Sequence, residues 1–375
     1  MKKILLLLFG IFLLCGCGTA NKEDVMNDLI KKTNKIKSYK ITGNMEISND
    51  EETFTYSIES YYLKDDFYKV ILVNQTNNHE QIILKNNEDI YVITPTLNKS
   101  FKFQSEWPDN SSQAYLIGSV VKDIDDDKEA EIQEKNKRYI IKSKVNYPNN
   151  EDLKYQKVYL NNNKEIEKVE IYNENDILKI KVVFDDINLK ANLNKKDFNL
   201  KDYIKKENED KTNLSQENND GENNNEEINN ETSCEKDTAT NECNNNSESS
   251  KEEINQETAN IENIIYPLYI PSNTYLANSE TINLGNANRV ILTFSGDKNF
   301  VLIEEVSKIN NDMEIIPVYG EPFMLSETIG ALSANSLSWD VNNISYYLAS
   351  TELSVYEMQS IANSLGNTSL VSNTK

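Results

Sequence analysis

Apolar and polar residues alternate with a period of two along most of the N-terminal half of the chain, which is the pattern of half-buried β-strands. Asparagine- and aspartate-rich turns separate the runs. The ten runs are Tyr39–Ile47, Phe54–Tyr61, Phe67–Val73, Gln81–Leu84, Ile90–Ile93, Ser100–Phe103, Arg138–Val145, Lys157–Leu160, Ile166–Tyr172 and Leu178–Phe184. About ten strands joined by short turns predict an antiparallel meander. So large a sheet should curl into a barrel or half-barrel.

Two segments have a helical period instead. Residues 24–36 form an amphipathic pattern with Val25 and Leu29 on one stripe, and this helix should lie on the sheet. Residues 111–122 follow Trp107-Pro108, where Ser111 or Ser112 can cap a helix. A single helix inserted into a long meander should lie as a lid across the concave face of the curled sheet.

A second, smaller α+β unit is predicted at residues 263–367. The runs 289–294 and 299–305 flank Ser295-Gly296-Asp297 as a hairpin, and the runs 337–341 and 344–349 flank Asn342-Asn343 as another. Ser354-Val355-Tyr356-Glu357 has the form of a capping box that opens a C-terminal helix, which Gly366 closes. Residues 368–375 are predicted to be a disordered tail.

The tyrosine-rich strands and the inserted helix together predict a groove. Amphipathic tyrosine side chains suit the wall of a site for a lipid or a peptide, although each tyrosine is also an ordinary strand former. The candidate groove and lid residues are Tyr56, Tyr91, Trp107, Tyr115 and Leu116.

The first 17 residues have the pattern of a bacterial lipoprotein signal peptide. Two lysines precede the apolar run from Ile4 to Leu14, which is shorter than the ~20 residues of a transmembrane helix. Leu14-Cys15-Gly16-Cys17 resembles a lipobox, with the small Gly16 before the cleaved bond and Cys17 as the thiol that accepts the lipid. We therefore expect a cell-membrane protein, lipid-anchored through Cys17 (palmitate among its acyl chains) on the extracytoplasmic face.

Composition adds an acidic linker to this picture. The chain has a net charge of −22, and residues 206–262 contain 17 acidic and 4 basic residues, a net charge of −13. Residues 205–262 are rich in Asn and Glu and have no apolar period, so we expect a disordered linker between the half-barrel domain at residues 18–204 and the small unit. The linker contains Cys234 and Cys243, which could close a small disulfide loop outside the membrane. A basic surface that would bind nucleic acid is not visible.

Candidate catalytic and metal-binding residues are few. His79 is the single histidine and lies in a polar turn, which favours a solvated loop residue over a catalytic base. Asp123, Asp125, Asp127 and Glu134 have the spacing of a calcium loop, but Lys128 stands where the turn needs glycine. We expect no metal, no cofactor and no enzyme activity, although abundant carboxylates leave a cell-wall hydrolase as an alternative.

The lipobox, the first helix, the meander and the segment Ser105-Glu106-Trp107-Pro108 together resemble the LolA-like lipoproteins of spore-forming Firmicutes, over roughly residues 22–200. The C-terminal unit resembles a small domain of unknown function found beside such lipoproteins. The resemblance implies a LolA-like curled antiparallel half-barrel with a helical lid, from a Gram-positive organism. It also implies that the half-barrel binds a protein partner or an acyl-chain ligand in sporulation or germination.

Two further expectations remain open from the sequence. LolA-like domains with a C-terminal domain also resemble envelope-stress sensors that bind an anti-sigma factor. An exposed edge strand of the half-barrel could pair with a second copy of the chain to form a homodimer.

Overall fold

The computed structural model describes residues 22–203 and 261–365, apart from positions 50, 51, 88, 137, 262, 286 and 310. The predicted signal peptide with Gly16 and Cys17, nearly all of the predicted linker with Cys234 and Cys243, and the predicted tail lie outside the described residues. The described residues on both sides of the segment 204–260 belong to one compact unit. None of the helices among them is long and apolar enough to cross a bilayer.

The N-terminal segment forms one helix, eleven strands and a short inserted helix. The helices are α1 (Lys22–Thr33) and α2 (Ile117–Asp126). The strands are β1 (Ser38–Ser48), β2 (Thr53–Leu63), β3 (Phe67–Asn74), β4 (Glu80–Asn86), β5 (Asp89–Thr94), β6 (Lys99–Phe103), β7 (Glu131–Lys135), β8 (Arg138–Lys144), β9 (Leu153–Leu160), β10 (Ile166–Asn173) and β11 (Leu178–Asn188). Short 3₁₀ helices lie at Pro95–Leu97, Lys195–Phe198 and Leu200–Tyr203.

The C-terminal segment adds eight strands and one helix. The strands are β12 (Thr274–Asn283), β13 (Asn288–Gly296), β14 (Phe300–Val306), β15 (Glu314–Val318), β16 (Gly320–Met324), β17 (Ile329–Ser333), β18 (Ser336–Val341) and β19 (Ile344–Ala349), followed by helix α3 (Val355–Leu365). The predicted capping box is present: Ser354 Oγ accepts from the backbone N–H of Glu357, whose carboxylate accepts from the N–H of Ser354. Asn342 and Asn343 both have positive φ, as a tight hairpin turn requires.

A 12-stranded sheet contains all eleven N-terminal strands in the order β15-β6-β5-β4-β3-β2-β1-β11-β10-β9-β8-β7. The first and last strands of the meander, β1 and β11, pair with each other near the centre of the sheet. Strands β6 and β7 are therefore the outermost of the eleven N-terminal strands, and they do not pair with each other, so the sheet stays open. Gly43 permits the central pairing, because a Cβ there would lie 2.3 Å from the carbonyl oxygen of Val183. The predicted α+β fold with a half-barrel is confirmed.

The side chains of this sheet form one core on each face. On the concave face, the alternating residues of β1 to β6 and β8 to β11 pack against α1, α2 and the segment that precedes α2. On the opposite face, a smaller core joins β3, β4 and β5 to Phe198 of a 3₁₀ helix. The C-terminal strands other than β15 form a 7-stranded sheet in the order β12-β13-β14-β19-β18-β17-β16. Helix α3 packs on this sheet, and the two share a separate hydrophobic core.

The inserted helix differs from its prediction at its start. It begins at Ile117 after Leu116, whose side chain makes no capping bond, so the predicted caps at Ser111 and Ser112 are wrong. Ser112 Oγ instead donates to Asp123 Oδ1 at 2.9 Å. Residues before Ile117 adopt an irregular path because Trp107, Ala114 and Tyr115 are buried in the concave core.

The C-terminal segment contributes strand β15 to the N-terminal sheet. Residues Glu314 to Val318 pair in parallel with Lys99 to Phe103, and this covers the β6 edge. The backbone N–H of Glu314 and the carbonyl oxygen of Val318 bond toward the β6 side. Because backbone groups alternate in direction along a strand, the nitrogen of Pro317 faces the outer side of β15. Proline has no N–H, so this position offers no donor to another strand. The proposed edge-strand homodimer stays a prediction.

Candidate functional site

Four of the five predicted groove and lid residues meet in the concave core. Trp107 and Leu116 are each 1% exposed, and Tyr115 and Tyr56 are also buried. Tyr68 contacts Trp107 edge-on, with ring centroids 5.9 Å apart. These side chains therefore fill much of the concave face, and Trp107 and Tyr115 also line an open cleft.

Tyr91 lies elsewhere. Since successive side chains of a strand point to opposite faces, Ile90 and Val92 reach the concave core while Tyr91 joins Phe67 and Phe198 on the other side of the sheet. The structure separates Tyr91 from the other four predicted residues.

The turn between β16 and β17 covers a further part of the concave face. Gln81, on β4, makes a paired contact with its backbone: its Nε2 donates to the carbonyl oxygen of Ile329 at 3.1 Å, and its Oε1 accepts from the N–H of Ile329 at 2.5 Å. Thr328 Oγ1 also donates to Gln81 Oε1 at 3.0 Å. Tyr56 Oη donates to the carbonyl oxygen of Ser326 at 2.5 Å. Side chains of the half-barrel thus bind the β16–β17 turn through hydrogen bonds to its backbone.

A cleft of about 700 Å³ remains open beside this turn, between the half-barrel and the 7-stranded sheet. Its apolar lining from the half-barrel comprises Ile47, Ile83, Trp107, Tyr115, Tyr147, Pro148, Leu153, Ile177 and Ile180. Its apolar lining from the C-terminal segment comprises Leu268, Tyr269, Pro322, Phe323, Met324, Leu325, Ile329 and Tyr356. Both segments are therefore needed to form this cleft, which has the size of a ligand or peptide site.

Large apolar side chains lie exposed at the cleft. Leu268 is 68% exposed, Tyr356 56%, Ile177 49% and Tyr269 36%. Exposed apolar groups gathered around one concavity mark a binding surface more strongly than the same groups scattered singly.

Glu321 is a carboxylate of this cleft that is held by two asparagine side chains. Its Oε2 accepts from Asn110 Nδ2 at 2.6 Å, and its Oε1 accepts from Asn149 Nδ2. Burial raises the pKa of Glu321, which the Asn110 hydrogen bond partly offsets. Asp152 pairs with Lys179 at 3.3 Å. Among the described charged residues that line the cleft, Glu321 is the one whose neighbours are neutral amides.

His79 is less solvated than its turn sequence indicates. Its Nε2 is buried without a hydrogen-bond partner, and burial lowers the pKa of the imidazole while nearby Asp340 acts in the opposite direction. Asp340 Oδ1 accepts from Lys99 Nζ at 2.8 Å and from Ser345 Oγ at 2.5 Å. Because the serine donates directly to a lysine-paired carboxylate, these groups do not form the serine–histidine–carboxylate relay of a hydrolase.

The acidic residues with calcium-loop spacing are distributed over two elements. Asp123 and Asp125 lie on α2, Asp127 ends that helix, and Glu134 lies on β7. No group of three or more His, Cys, Asp or Glu residues that could hold a metal ion occurs in the described part of the chain.

Comparison with known proteins identifies relatives of the whole chain. Residues 1–198 match a family model described as sporulation protein YdcC-like. The sporulation protein YdcC of Bacillus subtilis (strain 168) is 31% identical over 369 residues, which cover 97% of each chain.

Two solved structures show how far the structural similarity extends. A chain in the structure of the Pseudomonas aeruginosa MucA/MucB complex matches over 92% of this chain and 98% of its own length, with 10% identity and a TM-score of 0.30. The LolA superfamily protein NE2245 from Nitrosomonas europaea covers 46% of this chain and 97% of its own, with 11% identity and a TM-score of 0.28. Scores this low carry no argument about a ligand or a partner.

Proposed function

Because this chain belongs to the YdcC-like family of sporulation proteins, we propose that it acts in sporulation as a non-enzymatic protein that binds a protein partner in the cleft. The observation that carries the proposal is the 700 Å³ cleft with four exposed apolar side chains around it. Its walls come from both sheets, so partner binding depends on the C-terminal segment as well as on the half-barrel.

The proposal favours the cleft over the interior of the half-barrel. An acyl chain on the concave face would need the space that Trp107, Tyr115 and the turn at residues 326–329 occupy. An acyl chain that displaced this turn would leave the Gln81 amide buried without hydrogen-bond partners, which costs about 1–3 kcal/mol for each unpaired group. A partner that enters the cleft meets exposed side chains and leaves these contacts in place.

Photo-crosslinking in sporulating cells of the native host tests the proposal. A benzoylphenylalanine residue at Tyr356 lies at the cleft, whereas the same residue at Tyr319, which is 78% exposed and outside the cleft lining, is a matched control. We expect a defined protein adduct from position 356 and none from position 319. Equal labelling at the two positions, or no adduct from position 356 during sporulation, would refute partner binding in the cleft.

The proposal includes a lipid anchor on Cys17 that holds the protein on the extracytoplasmic face of the cell membrane. Its support is the lipobox Leu14-Cys15-Gly16-Cys17 after a short apolar run. We expect Cys17→Ala to release the protein from the membrane fraction and Cys15→Ala to leave it there. Membrane association of both variants would refute the anchor without touching the proposal for the cleft.

A further inference from the structure

The Glu321 carboxylate accepts from two asparagine amides and forms no ion pair with any residue in the described part of the chain. Asn110 and Asn149 each donate to one of its oxygens, and each oxygen can accept a second hydrogen bond. A half-buried carboxylate without an opposite charge is destabilised by desolvation, which is consistent with the raised pKa of Glu321. A cation that enters the cleft would relieve this cost, so the cleft has charge complementarity for a basic group.

The lining of the cleft is also suited to polypeptide backbone. Gln359 Nε2 donates to the carbonyl oxygen of Met324 at 3.4 Å, and Asn363 Oδ1 accepts from the N–H of Ser326 at 3.0 Å. Both amides belong to α3 and line the cleft, and each uses one of its two groups to hold the residues that lead from β16 into the β16–β17 turn. Gln359 Oε1 and Asn363 Nδ2 make no hydrogen bond to the described residues, so these two groups are available to a ligand. Side-chain amides carry a donor and an acceptor, as peptide groups do, and therefore recognise main chain without regard to sequence.

Exposed apolar side chains line the same cleft as the carboxylate. Leu268, Tyr269 and Tyr356 lie on the C-terminal side of the cleft and Ile177 lies on the half-barrel side, and all four are exposed to a ligand. A polypeptide that placed a cation near Glu321 would bring its neighbouring side chains within this apolar surface. Burial of such side chains contributes about 25 cal/mol per Å².

Resting on the proposed function, we propose that the segment bound in the cleft is an extended polypeptide that carries a lysine or arginine between apolar residues, and that Glu321 pairs with this cation. The amides of the cleft lining bind its backbone, and the exposed apolar side chains contact its neighbouring residues. Glu321 thereby selects among partner segments by charge.

Selection from a displayed library of random linear peptides tests this assignment on the purified full chain. We expect the wild-type protein to enrich peptides with lysine or arginine between apolar residues. The strongest peptides should bind Glu321→Gln at least about tenfold more weakly, because their cation loses its partner. Glu321→Lys should reverse the preference toward acidic peptides.

Two variants separate recognition from structural support. Asn149→Ala removes one amide from Glu321 but keeps the carboxylate, so we expect the basic preference to persist. Glu280→Gln makes the same change of charge on β12, at an exposed position outside the cleft, and should leave binding unchanged. Thermal unfolding of each variant establishes whether it is folded at the temperature of the assay.

Three results would overturn the assignment. The first is a set of cleft-binding peptides without a basic preference. The second is a basic preference that Glu321→Gln leaves intact. The third is loss of the preference in Asn149→Ala to the same extent as in Glu321→Gln, which would mean that the carboxylate only supports the cleft. Each of these results leaves partner binding in the cleft standing, whereas failure of crosslinking at position 356 refutes that function itself.

Discussion

Replacing Gln81 by alanine tests whether the β16–β17 turn is an integral part of the half-barrel. The Gln81 side chain is 4% exposed and connects β4 to the turn through three hydrogen bonds, two with the backbone of Ile329 and one with the hydroxyl of Thr328. Ile329 and Thr328 are each 2% exposed. Alanine provides neither the donor nor the acceptor, so three buried polar groups lose their partner.

The expected cost follows from these three groups. A buried donor or acceptor left unpaired costs about 1–3 kcal/mol, and the cavity that the smaller alanine side chain leaves can admit water to some of these groups. We therefore expect Gln81→Ala to lower the free energy of unfolding by about 3–6 kcal/mol. That is a large fraction of the ~5–15 kcal/mol that stabilises a typical domain.

Urea unfolding followed by tyrosine and tryptophan fluorescence measures this difference. Gln75→Ala is the matched control, since the Gln75 side chain is exposed and, among the described residues, bonds only to Asn44, and it should cost less than about 0.5 kcal/mol. If Gln81→Ala lowers the free energy of unfolding by less than about 1 kcal/mol, the buried hydrogen bonds of Gln81 do not hold the turn in place.

Glutamate at position 81 adds a test of the sign of the effect. A carboxylate keeps the acceptor for the N–H of Ile329 but cannot donate to its carbonyl oxygen, whereas the protonated acid can. Gln81→Glu should therefore be less stable at pH 8 than at pH 5, relative to the wild-type protein at each pH. Equal destabilisation at both values would contradict this account.

Three further predictions concern charge and the sheet edge. Burial raises the pKa of Glu304 to about 7 from an ordinary value of 4.5, so this group should contribute a loss of about 3 kcal/mol of stability as pH rises between these values. Glu304→Gln, which still accepts from the N–H of Ile265, should reduce the difference in stability between pH 5 and pH 8 by about this amount in urea unfolding. Burial lowers the pKa of His79 below its ordinary 6.5, so stability should also fall as pH drops below about 6.5, and the same measurement on His79→Asn should show no such fall. Pro317→Val restores an outward N–H on β15 and should increase self-association in light scattering, whereas Ile315→Val should not.

The strands of the half-barrel could be predicted because each one has one face toward a core. All ten period-two runs are strands in the structure, and Ser354 with Glu357 predicted the start of α3 through a local capping pattern. Such signals require only the residue and its near neighbours. The eleventh strand, β7, was not predicted because its residues are mostly exposed and charged, so it has little apolar alternation.

The cleft could not be predicted because its parts come from distant segments. Gln81 is a buried polar residue directly before the apolar run Ile82–Leu84 of β4. Its partner Ile329 lies 248 residues away, and nothing in either sequence pattern specifies the pairing. Glu321 likewise acquires its asparagine neighbours only when β16 meets the half-barrel.

The C-terminal segment completes the half-barrel as well as the cleft. It supplies β15 to the exposed β6 edge, the turn that Gln81 holds, and Asp340, which is 2% exposed and pairs with Lys99 at 2.8 Å. Breaking the Lys99–Asp340 pair would leave a buried carboxylate uncompensated. The long chain between residues 203 and 261 costs little against these contacts, since doubling the length of a loop adds only about 0.6 kcal/mol of closure entropy. The contacts therefore fix the two walls of the cleft relative to each other, and a partner can bind there without first ordering the site.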